Sequence, residues 1–74
     1  MIASRDIVAA NVERIRKRRN LSQQELAQKA GVRQPMVSKI ERAKHDPQCE
    51  TLDRLAEALD VSAAELLTPP RKKS

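Results

Sequence analysis

The chain has 74 residues and a net charge of +5, with one glycine, four prolines, one cysteine and no Phe, Tyr or Trp. That length allows one small domain, and its core must be aliphatic. Ile7–Val12 is the longest stretch without a charged side chain, a single glycine forms no glycine-rich phosphate loop, and one Cys and one His make no structural zinc site.

Cys49 cannot close an internal disulfide, so the chain reads as cytoplasmic, with no catalytic group, cofactor, metal or membrane segment expected. A first helix is predicted over Arg5–Arg18, with Ser4 as N-cap and Asp6 in the first turn. Val8, Val12 and Ile15 recur at helical spacing, flanked by Ile7 and Asn11. Arg14, Arg16, Lys17, Arg18 and Arg19 crowd its end, and Asn20 suits a left-handed turn.

Ser22 and Glu25 have capping-box spacing, and Leu21 can staple onto Leu26, so a second helix starts there. Leu26, Ala27 and Ala30 mark its buried face, and Gly31 ends it. A third helix begins at Gln34 or Pro35, since proline is at home in a first turn, and ends around Arg42–Lys44. Val37 and Ile40 point inward, with Glu41 beside them.

His45, Asp46 and Pro47 form a loop, and the His–Asp neighbours lack any nucleophile motif that would make them catalytic. A fourth helix over Cys49–Leu59 buries Cys49, Leu52, Leu55, Ala56 and Leu59, with Cys49 as a small core hydrophobe. Ser62 and Glu65 repeat the capping-box spacing before a short fifth helix that runs through Leu67. The fold class is thus all-α, a five-helix domain over residues 1–67 followed by a basic, flexible tail over 68–74.

The second and third helices meet through Ala30–Gly31–Val32, with the small Ala27 four residues before Gly31. A small side chain there lets a steeply crossing helix approach, and Val32 fills the corner, as in a helix-turn-helix. The stretch Leu21–Leu67 resembles the lambda-repressor-like (Cro/Xre type) helix-turn-helix domain. Gln23, Leu26, Ala27, Ala30, Gly31, Val32, Val37, Ile40 and Glu41 carry the likeness, and Val12, Ile15 and Arg16 extend it into the first helix.

The resemblance implies the compact lambda-repressor-like fold and a DNA-binding transcription regulator, with the third helix in the major groove. On that basis Arg33, Gln34, Pro35, Met36, Ser38 and Lys39 are the candidate base contacts. Ser22, Gln23, Arg42, Lys44 and His45 are the candidate phosphate contacts. It also implies an ion pair between Arg16 and Glu41. Two departures stand out: Arg33 occupies a frequent Ser/Thr cap position, and Ala43 replaces a frequent glycine. The long C-terminal dimerisation domain of many phage repressors has no counterpart in these residues.

A homodimer on a palindromic, double-stranded operator is expected, acting in a repressor-like way with no small-molecule effector. Leu66 and Leu67 either complete the core or supply dimer contacts, and Arg71–Lys73 either reach the DNA backbone or fray. The alternative is a protein-interaction module on the same fold, such as an antitoxin or a coactivator bridge. Its working face would be the acidic fourth and fifth helices.

The charge is segregated. Residues 1–44 hold eleven Lys/Arg against four Asp/Glu (+7), residues 45–67 one Arg against six acids (−5), and residues 71–73 add +3. Such a separation can orient the molecule on a polyanion.

Overall fold

The computed structural model describes residues 4–69, so Arg71–Lys73 lie outside the described residues. In chain order the elements are α1 (Ser4–Arg18), α2 (Gln23–Ala30), α3 (Gln34–Glu41), α4 (Cys49–Ala58) and α5 (Ala63–Leu67). No strand occurs among the described residues. α1 packs on α3 and α5, α2 on α3 and α4, and α4 on α5.

Val12, Leu26, Val37, Ile40, Leu55, Leu59 and Leu66 are all at 0% exposure and form the centre of the core. Each large aliphatic side chain removed from water contributes about 1.5–3 kcal/mol. With no aromatic ring to fill space, Ala27, Ala30 and Ala56 let the helices close on one another, at 2%, 6% and 3% exposure.

One closing device recurs at four helix ends. The residue after each helix turn is left-handed: Asn20 at φ 58°, Gly31 at 70°, Ala43 at 58° and Asp60 at 59°. Beside it, a 6→1 hydrogen bond caps the helix: Leu21 to Arg16 O, Val32 to Ala27 O, Lys44 to Lys39 O and Val61 to Ala56 O, at 2.9–3.1 Å. Leu21, Val32 and Val61 then tuck against the core, as the motif favours. The fourth end, after α3, places the exposed Lys44 there instead.

Four expectations need correction. Ser4 lies inside α1 rather than capping it. Cys49 is exposed, because helical spacing aligns it with Leu52 but the first residue of α4 lies past the end of the core. Leu66 is at 0% exposure, which removes it as a dimer contact, and α5 presents Leu67 outward at 48%. Thr68 belongs to the fold and not to the tail, since its hydroxyl donates to Ala64 O at 2.7 Å.

Candidate nucleic-acid interface

The start of α2 is set by a complete capping box. Ser22 Oγ accepts from the Glu25 N–H at 3.0 Å, and Glu25 Oε1 accepts from the Ser22 N–H at 2.8 Å. The Ser22 backbone N–H, followed by its hydroxyl, holds the Glu25 carboxyl below the usual carboxylate range. Gly31 then turns the chain, with no obstacle to a Cβ other than the far end of Arg54 at 3.7 Å. Its positive φ is therefore what calls for glycine.

α3 begins without a side-chain cap at Arg33, which is extended at φ −81°, ψ 144°, and Pro35 sits in the first turn. What holds α3 from below is a bidentate ion pair. Arg16 Nε donates to Glu41 Oε2 at 2.6 Å and Nη2 to Oε1 at 3.0 Å, while Nη1 donates to Leu21 O at 2.7 Å. The two side chains are only 10% and 2% exposed. The hydrogen bond to Glu41 raises the Arg16 guanidinium above its ordinary value.

The same carboxylate begins a path to the surface. Gln23 Nε2 donates to Glu41 Oε1 at 3.0 Å, and Gln34 Nε2 donates to Gln23 Oε1 at 3.0 Å. Gln34 is exposed, at the first position of α3. Its amide has a second N–H and a carbonyl oxygen, so the bond to Gln23 leaves one donor and one acceptor for a ligand.

The other candidate residues divide around this edge. Arg33, Pro35, Met36, Lys39 and His45, with Val32, line one shallow groove beside α3. Arg42 and Lys44 are exposed at and just after the end of α3, and Ser38 is half-buried within it. The Ser22 hydroxyl is already engaged as the α2 cap. Gln23 stands between α2 and α3 with both ends of its amide in use.

Sequence reasoning missed three contacts. Asn11 is buried under α5, Gln23 links Glu41 to Gln34, and Arg54 of α4 donates to Gly31 O at 3.4 Å. For Asn11 a signal was present, namely a polar residue within the apolar stripe Val8, Val12, Ile15. The Gln23 links had none, because they depend on how two helices cross.

Among known proteins, the helix-turn-helix family model matches residues 12–66. The HTH-type transcriptional regulator y4dJ of Sinorhizobium fredii is 40% identical over 65 residues, covering 88% of this chain and 84% of that protein. The crystal structure of the hypothetical transcription factor NHTF from Neisseria superposes with a TM-score of 0.88 at 34% identity, covering 92% of this chain and 78% of that one. SinR, a master regulator for biofilm formation solved in complex with DNA, gives a TM-score of 0.79 at 35% identity, covering 82% and 98%. With its five helices, its turn at Gly31 and this likeness, the chain belongs to the helix-turn-helix family of DNA-binding transcription regulators, whose fold serves binding rather than catalysis.

Proposed function

We propose that the protein is a repressor-like regulator that binds a palindromic operator as a homodimer, with α3 in the major groove. The observation that carries this reading is the hydrogen-bonded path from the buried Arg16–Glu41 pair through Gln23 to the exposed Gln34 amide. It orients one side chain of α3 in advance, and the free donor and acceptor of Gln34 match the N6 and N7 edge of adenine.

Arg33 and Lys39 then serve guanine, and Pro35 and Met36 of the neighbouring groove serve the thymine methyl. The N–H groups of Gln23 and Gln24 have no partner within α2 and hold a phosphate there. Arg42, Lys44 and His45 hold the backbone on the far side. Leu67 forms the centre of the contact with a second copy, which places two α3 helices about 34 Å apart.

The test is selection of bound duplexes from a random library, followed by salt titration of the selected site. An inverted repeat is expected, with log affinity falling linearly in log salt. Gln34→Ala should remove about 1–3 kcal/mol of discrimination at one base pair, whereas Lys44→Ala should weaken all sequences alike and lower the salt slope by about 1. Absence of binding to any duplex at low salt sinks the reading and leaves a protein-interaction module.

A further inference from the structure

Val32 closes the turn between α2 and α3, its N–H bonded to Ala27 O at 3.0 Å, and Met36 lies in the first turn of α3, its N–H bonded to Arg33 O at 3.0 Å. Both side chains are half-buried and pack against the core, so they are fixed from beneath. With the exposed Pro35 they form the apolar floor of the groove beside α3, which encloses about 520 Å³. Arg33, Lys39 and His45 make its rim, and no carboxylate lines it among the described residues.

A cationic rim without a carboxylate suits a polyanion, and an apolar floor suits the one apolar group that a base edge offers in the major groove, the C5 methyl of a pyrimidine. Thymine carries that methyl, and so does 5-methylcytosine. The two bases differ at position 4, where thymine has an accepting O4 and cytosine a donating N4–H₂. A hydrogen-bonding group would tell them apart. Val32 and Pro35 have no side-chain donor or acceptor, and the Met36 thioether accepts only weakly. The polar groups of the rim are engaged elsewhere in the reading above, Arg33 and Lys39 with guanine and His45 with phosphate.

We infer that this groove reads the C5 methyl of a pyrimidine and not its position 4, so that 5-methylcytosine substitutes for thymine and operator binding responds to cytosine methylation. This rests on the placement of α3 in the major groove proposed above.

The test uses the full chain and a duplex selected from a random library, at low salt. Each thymine is replaced in turn by uracil, and the position that responds is then rebuilt as a pair with guanine, carrying either cytosine or 5-methylcytosine. Burial of one methyl group is worth about fourfold in affinity, so thymine should bind about fourfold better than uracil and 5-methylcytosine about fourfold better than cytosine. Met36→Ala should cut both ratios below about twofold, whereas Met36→Leu, which keeps the apolar surface, should retain them. If Met36→Ala does not fold cooperatively, Pro35→Ala at the exposed end of the floor should lower the same two ratios.

A gain for thymine over uracil with none for 5-methylcytosine over cytosine means that position 4 is read, and overturns the inference. So does a floor variant, Met36→Ala or Pro35→Ala in its place, that binds with both ratios intact, because the methyl then acts through the shape of the duplex. Ratios of one at every thymine overturn it too, and in all three cases the regulator reading stands. Absence of binding to any duplex overturns both.

Discussion

α3 and α5 are both anchored to α1 by a buried polar side chain, yet the two anchors end in different places. Arg16 meets the side chain of Glu41, and from there the contacts pass outward through Gln23 to Gln34. Asn11 meets the backbone carbonyls at the end of α5, and its other end accepts only from Arg14 of its own helix. A side-chain network sets the orientation of another side chain, which is what reading a base edge requires. A bond to the backbone holds a helix end as a body, here with Leu66 in the core and Leu67 outward at 48% exposure.

The largest test of this difference is Arg16→Ala. It leaves Glu41, 2% exposed, without its partner, and should lower stability by about 3–5 kcal/mol in urea or thermal unfolding. A chain of this size has roughly 4–11 kcal/mol in all, so the loss removes a large share of its stability. Arg16→Met combined with Glu41→Leu separates stability from recognition. Apolar replacement of a buried pair is often neutral or stabilising, so the domain should stay folded. Gln23 loses its acceptor, however, and discrimination at the base pair proposed for Gln34 should fall. Undiminished discrimination in the double variant would show that the path from Glu41 does not orient Gln34.

The α5 anchor should be weaker and more local. Asn11→Ala leaves carbonyls at the end of α5 without their buried donor, at a cost of about 1–3 kcal/mol. Amide exchange should accelerate in α5 while α3 keeps its protection relative to the global unfolding limit. Equal acceleration in both helices would mean that α1 does not hold them independently.

These two anchors also mark how far the sequence could be read. The five helices were legible because caps, periodicity and stop signals agree locally, as at Ser22, Glu25 and Gly31. The candidate positions along α3 came from the family resemblance and from no local pattern, because caps and periodicity give a helix but not the face that meets a ligand. Cys49 was misplaced because periodicity gives a direction around a helix axis but says nothing of where the core ends along it. Leu66 and Leu67 could not be told apart for a related reason, since the rotation of a five-residue helix depends on what clamps it. Asn11 does so from a distance of over fifty residues in sequence, and no local pattern records that.

A smaller effect distinguishes the exits that lead away from α3 and into α5. Ala43 and Asp60 both adopt a left-handed backbone, at φ 58° and 59°. Aspartate tolerates that region better than alanine, whose Cβ crowds the carbonyl. Ala43→Gly should therefore raise stability by about 1 kcal/mol, an increase in Tm of about 4–8 °C, and Asp60→Gly should gain less. A loss of stability on Ala43→Gly would mean that the flexibility glycine adds to the unfolded chain outweighs the relief of strain at this turn.

The smallest effect lies at the N-caps, where α2 and α5 again differ. Ser62 Oγ accepts from the Glu65 N–H at 3.1 Å, a bond that involves no carboxylate. At Ser22 the backbone N–H donates to the Glu25 carboxylate, which holds that group below its ordinary range. A carboxyl with a lowered value in the folded state stabilises above the unfolded value, near 4.3, and loses that contribution as pH falls through the folded value. Acidification from about pH 5 should therefore loosen the start of α2 through Glu25, and Glu25→Gln should remove that part of the slope in Tm against pH. The Ser22 amide should exchange progressively faster below that point, while the Glu65 amide at the cap of α5 feels only the common loss of global stability. If the wild type and Glu25→Gln show the same slope between pH 3 and pH 5, the carboxylate bond at α2 contributes nothing to the fold.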